Sequence, residues 1–209
     1  MKKKLSILLL SILLCFSSLW AADSKGNRKS QTARLGIKSG VHLMYLVTSP
    51  FLLEFPGQDW TFGIVYGSGD LDVTTTTTTS SSTTSKTETW NLSTAELTGR
   101  YYIGNSFNIP FGIAMYNIRK DDWKFLGTTW ELDYKITQLN IGIGNEWTYD
   151  WGGYLGVDWF QGGAKLNDKI TVTLKDGTET TAAKTSAEKE STDINAFGGA
   201  FIVSFGFGF

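Results

Sequence analysis

The chain has 209 residues with 19 basic and 20 acidic side chains and a formal net charge of -1, so no field of either sign is available to hold nucleic acid, and that partner is excluded. Its one cysteine, Cys15, lies in an N-terminal apolar run, which removes disulfides, thiol chemistry and cysteine metal ligands from everything downstream. Twenty-three glycines, 14% aromatics and only three prolines point to strands, because barrels place glycine inside and aromatics outside.

Lys2, Lys3 and Lys4 precede the apolar run Leu5 to Phe16, and small residues follow at Ala21 and Ala22. This is the pattern of a secretory signal peptide, expected to occupy residues 1–22 and to be cleaved. Acylation of Cys15 would call for a small residue just before it, where the chain has Leu13 and Leu14. The apolar run is shorter than the roughly 20 residues a helix needs to cross a bilayer. If the rest of the chain enters a membrane, it does so with strands. Residues 23–31 form a polar segment, and residues 32–209 are expected to form one domain.

Segment 32–49 is expected to give two strands, Thr32 to Ser39 and Val41 to Val47, turning at Gly40. Over 59–68, Trp60, Phe62, Ile64 and Tyr66 alternate with Thr61, Gly63, Val65 and Gly67, one apolar face and one small or polar face of a strand. Residues 68–89 hold Thr74 to Thr79 and then Ser80 to Ser85, a polar tract expected to be a mobile loop. Ala95, Leu97, Gly99, Tyr101 and Ile103 mark a strand over 90–103, and Ile109, Phe111, Ile113 and Met115 another over 109–118. A short loop with Arg119, Lys120, Asp121 and Asp122 leads into 130–143. There Trp130, Leu132, Tyr134 and Ile136 fall out of phase with Leu139, Ile141 and Ile143, as a β-bulge or a misplaced boundary would produce. The repeated triplets Ile103-Gly104-Asn105 and Ile143-Gly144-Asn145 are expected to be short turns. A strand over 151–162 carries Trp151, Gly153, Leu155, Val157 and Trp159. In 163–194, Ile170, Val172 and Leu174 precede Asp176-Gly177, which predicts a projecting hairpin.

The last segment, 195–209, has the strongest pattern: Phe197, Gly199, Phe201, Val203, Phe205, Phe207 and Phe209 on one face, small residues on the other. A terminal strand with Phe201, Val203, Phe205, Phe207 and Phe209 at alternate positions resembles the assembly signal of bacterial outer-membrane barrels. With the leader and the length, the chain is similar to the small eight-stranded barrels of the OmpA and OmpX type. The resemblance implies an all-β fold: a closed antiparallel transmembrane β-barrel of about eight strands with long extracellular loops, in the bacterial outer membrane after secretion through the inner membrane. It implies as partners the barrel assembly machinery, outer-membrane lipid and lipopolysaccharide, and an extracellular surface. A soluble all-β sandwich is the alternative fold.

An eight-stranded barrel is just wide enough for its side chains, so its lumen is expected to be filled. Arg34, Lys38, Glu96, Arg100 and Asp158 are expected to point inward, as a salt-bridge network or as a narrow path for ions or small solutes. Trp60, Tyr101, Trp147, Tyr149, Trp151 and Trp159 are expected at membrane interfaces, where one end of the ring is apolar and the other wet. The single histidine, His42, with Ser39 and Ser49 nearby, allows comparison with outer-leaflet acylases and deacylases, but no triad spacing is present. A single histidine makes no zinc site by itself, and the acid pairs Asp70 with Asp72 and Asp121 with Asp122 read as solvated charge. Neither cofactor nor metal is expected. A structural or surface-interaction barrel is the primary expectation, with a lipid-modifying enzyme or a narrow conductance as alternatives.

Overall fold

In a computed structural model, residues 23–41, 43–78, 83–125, 128–176, 185 and 199–209 are described. The chain forms β1 (Arg34–Val41), β2 (Phe51–Pro56), β3 (Trp60–Thr78), β4 (Thr83–Tyr102), β5 (Phe107–Phe125), β6 (Thr128–Thr148), β7 (Gly153–Asp176) and β8 (Gly199–Gly208). Each strand pairs antiparallel with the next, and β1 pairs with β8 as well as β2, so the sheet closes into an eight-stranded barrel. Successive side chains point to opposite faces of a strand, and in a closed sheet those faces become an outside and a lumen. The expected all-β closed barrel is the observed one.

The first hairpin differs from expectation. The chain runs straight through Gly40 as β1, folds into a short helix, α2 (Leu43–Thr48), and only then enters β2. Phe51, Leu53 and Phe55 carry the outward face of that strand, while Leu52 and Glu54 are buried. Helix α2 turns into the barrel, with Met44 and Tyr45 fully buried. Room for it comes from β3. A Cβ at Gly67 would lie 2.7 Å from Pro50 Cα, and one at Gly69 would lie 2.6 Å from the Val47 carbonyl oxygen.

The ribbons also run further than the periodicity predicted. Strands β3 to β7 have 19 to 24 residues each, about twice the 9–11 that a tilted strand needs to cross a bilayer. The threonine tract, expected to be a loop, is a ladder in its described parts, where Thr74 to Thr78 pair with Thr83 to Thr87. β-branched threonine favours extended backbone. Hydroxyls meet across the strands at 2.9 Å for Thr74 with Thr87 and 3.1 Å for Thr76 with Ser85, so cross-strand bonds stand in for apolar burial. Likewise, 119–125 continues β5. Residues 163–176 continue β7 against Thr129 to Asn140 of β6, and the return arm of the hairpin expected beyond Asp176-Gly177 lies outside the described residues.

The phase change expected in β6 is absent, because its even-numbered residues face inward throughout 130–148. The chemistry of the two faces exchanges instead: Trp130, Leu132, Tyr134 and Ile136 are buried, whereas Leu139, Ile141 and Ile143 face out. The bulges of the β6–β7 ladder lie on β7, where Trp159, Leu166 and Lys175 are skipped in the pairing. Of the two Ile-Gly-Asn triplets only the first is a turn, with Gly104 at φ 84. Gly144 is within β6, and that ribbon turns at Gly152, φ 94. The polar segment 23–31 contains a helix, α1 (Ser24–Ser30), capped by the Asp23 side chain. The expected signal peptide, 1–22, lies outside the described residues.

If the inward glycine of β3 makes room for α2, Gly67→Leu expels or strains that helix. The expected cost is about 1–3 kcal/mol, read as a lower urea midpoint for loss of the heat-modifiable band on gels.

Candidate functional site

The lumen is built in layers. At the end where β1 begins and β8 ends, α1 lies across the mouth with Ser24 and Arg28 fully buried. The Arg28 guanidinium stacks 3.6 Å over the Tyr102 ring, and its Nη1 donates to the Asn105 carbonyl at 2.8 Å. Asn27 Nδ2 donates to the Thr148 carbonyl at 2.9 Å, Thr148 N donates to Ser24 Oγ at 3.1 Å, and Lys25 reaches Asp59 at 2.9 Å. Polar and charged side chains thus fasten α1 to the ends of three hairpins.

Above α1, Arg34 Nη1 donates to Glu146 Oε1 at 2.5 Å, Nη2 to Thr148 Oγ1 at 2.7 Å and Nε to Gln31 Oε1 at 2.6 Å. Tyr102 donates to the same Glu146 oxygen at 2.7 Å. Arg100 grips Asp158 with two nitrogens, at 2.5 and 3.1 Å, and its Nε lies 3.5 Å from Glu146 and 3.8 Å from Glu54. A level higher, Glu96 Oε2 accepts from Tyr45 at 2.5 Å and from Lys38 at 3.2 Å, with Asn140 at 3.4 Å from Oε1. Further out the lumen is apolar. Met44, Leu92, Ala114, Ile118, Tyr134, Ile136 and Ile202 form one cluster, and Trp130, Leu132 and Val172 another. Beside Trp90, Lys120 bonds to Glu88 and lies 4.6 Å over the indole ring.

All five residues expected inside, Arg34, Lys38, Glu96, Arg100 and Asp158, are at most 3% exposed. Glu54, Glu146 and Arg28 belong with them and were missed. Glu54 falls on a strand the first-hairpin reading left out, although the alternation of Phe51, Leu53 and Phe55 marks it. Glu146 follows the triplet read as a turn. Between α1 and the apolar layers, the wall supplies the cations Arg34, Lys38 and Arg100 against the carboxylates Glu54, Glu96, Glu146 and Asp158, and Arg28 on α1 is the fourth cation. Burying charge is tolerable only with such pairing.

The outer surface is the reverse. Leu35, Phe51, Phe55, Phe62, Ile64, Leu97, Ile113 and Ile141 are all about half exposed or more. Phe201, Phe205, Phe207 and Phe209 of the terminal strand face out beside them, with Val203 half buried. Of the expected interface aromatics, Trp60 lies 4.4 Å from Tyr101, Tyr149 stacks on Trp151 at 5.5 Å, and Trp151 meets Phe207 at 5.5 Å. Trp159, one of the bulged residues of β7, meets Phe201 at 5.9 Å and donates to Asn145 at 2.9 Å. Trp147 departs from the expectation, since at 3% exposure it faces no solvent or lipid. His42 lies outside the described residues. Asp70 and Asp72 accept from Asn91 and Thr89, Asp121 pairs with Arg119, and no cluster able to hold a metal occurs among the described residues.

A closed eight-stranded antiparallel barrel with an apolar exterior and a charged, plugged interior is the class these features define. No protein-family model matches the chain, and no curated protein matches it. Among solved structures, Acinetobacter baumannii CarO aligns over 86% of this chain and 98% of that chain, at 11% identity and a TM-score of 0.36. The fold assignment therefore rests on the chain's own strand order.

Removing one partner from the buried network should be far costlier than removing an exposed pair. Arg100→Met is expected to destabilise by about 3–5 kcal/mol because Asp158 is left uncompensated, and Arg100→Met with Asp158→Leu should recover part of that. Loss of the exposed Arg119 and Asp121 pair should cost under about 1 kcal/mol. Urea titration of refolding into lipid vesicles compares the three.

Proposed function

We propose that this chain is an outer-membrane β-barrel, akin to the OmpA and OmpX type, whose body is a closed anchor and whose long ribbons meet other surfaces outside the cell. The observation that carries the reading is the inverted polarity: large apolar side chains ring the outside while ion pairs fill the inside. In water that arrangement would expose the wrong face; in a bilayer the closed ring satisfies every strand and the belt meets lipid. The terminal strand with Phe201, Val203, Phe205, Phe207 and Phe209 supports delivery by the barrel assembly machinery.

The filled lumen and both helices favour an anchor over a conductance. Beyond Gln161, β7 runs on to Asp176 against β6, and this ribbon carries exposed side chains such as Thr171 and Thr173. That outward face is the surface an extracellular partner would meet. Thr171→Lys with Thr173→Lys places two positive charges on it and weakens such a contact. Attachment of expressing cells to a protein-coated surface should fall while the heat shift on gels is unchanged.

The membrane reading is tested by Leu97→Arg, at a position 67% exposed in the belt. On a soluble protein, an exposed substitution away from any special feature changes stability by no more than about 0.5 kcal/mol. In the lipid-facing belt it should cost about 2–4 kcal/mol, seen as loss of the heat-shifted band from the outer-membrane fraction. An unaffected band would overturn the reading.

A further inference from the structure

The register of β6 and β7 sets Lys135 directly opposite Lys169. Both are exposed, and Lys135 belongs to the outward face of β6. Like charges directly opposite are unfavourable in a sheet. Asp133, the next outward residue on β6, reaches Lys135 at 3.1 Å, but no acid among the described residues lies within salt-bridge distance of Lys169. The pair stands where the apolar belt ends. Leu139 on β6 and Leu166 on β7 are the last exposed apolar side chains of their strands, and Thr137 and Asn167 separate them from the lysines.

Beside the pair, an outward-facing groove of about 310 Å³ runs across β3 to β6, with Tyr66, Ala95 and Met115 at its belt end and Asn117, Thr137 and Lys135 at its polar end. Small Ala95 sits between the larger Tyr66 and Met115, its direct partners on the neighbouring strands. The groove is therefore amphipathic in one direction, apolar toward the belt and cationic beyond it. Arg119, further out, is tied to Asp121 and Glu131, and Lys135 leans on Asp133, so Lys169 is the cation of this pair that meets no carboxylate among the described residues.

We propose that this face binds a phosphate-bearing lipid of the outer leaflet, its phosphate between Lys135 and Lys169 and an acyl chain along the Ala95 groove. The inference rests on the membrane reading above and names a lipid that the anchor would hold. A phosphate between the two ammonium groups turns an unfavourable cross-strand contact into two charge-assisted hydrogen bonds. The apolar end of the groove suits an acyl chain and has no use for a soluble anion.

The test uses the full chain, purified in neutral detergent and offered bisphosphorylated lipid A or its dephosphorylated form, with retained lipid read by native mass spectrometry. Retention of the phosphorylated form is expected to exceed that of the other, and to fall roughly five-fold for each lysine replaced in Lys135→Gln and Lys169→Gln. Ala95→Leu, which fills the groove, should lower retention of both lipids. Equal retention of the two lipids, or undiminished binding by the double glutamine variant, overturns the site while a normal heat shift leaves the membrane reading intact. A chain that neither heat-shifts nor enters vesicles overturns both.

Discussion

Strand β1 pairs with β2 on one side and β8 on the other, and this double pairing obliges each strand of the ring to find its hydrogen bonds sideways. Once the backbone is satisfied within the ring, the two faces are free to differ in chemistry, and they differ in the inverse sense to a water-soluble protein. The exterior can be apolar without a core to cover it. The interior, cut off from water, must then neutralise whatever charge it contains.

That second demand explains the density of contacts around Arg34, Arg100, Glu54 and Glu146. Each cation there meets more than one carboxylate, and each carboxylate lies near more than one cation. Such a network contributes rigidity and a unique register more than net stability, because desolvation offsets most of the attraction. Glycines at 142 and 144 keep the same volume clear: a Cβ at Gly144 would stand 2.7 Å from Asp158 Oδ1.

Much of this was legible in the sequence. Period-two alternation gave the lower halves of β3, β4, β5 and β8 and the inward charges, because outward-facing and lumen-facing residues differ sharply there. Legibility failed where the contrast weakens. Above the belt both faces of β3 and β4 are polar, so the threonine ladder looked like a loop. On β6 the apolar residues move from the inside to the outside after Ile136, and a simple pattern reads that as a change of phase. Helix α2 was missed because Leu43 to Thr48 is a mostly apolar stretch ending in β-branched Val47 and Thr48, and its burial depends on glycines about 20 residues away, a long-range fact that no local window contains. Trp147 lies on the outward face of β6 and is nonetheless buried, because residue type does not tell how far neighbouring side chains cover a tryptophan.

The anchoring of α1 has a consequence for the order in which the molecule comes together. Its partners lie in the hairpin ends near residues 58, 105 and 148, between 30 and 124 positions away along the chain. All three ends are in place only once β6 and β7 have paired. The residues synthesised first among those described are therefore the last to find their contacts. Arg28 enters as the final positive charge of a cavity that stays electrically unbalanced until the mouth is shut.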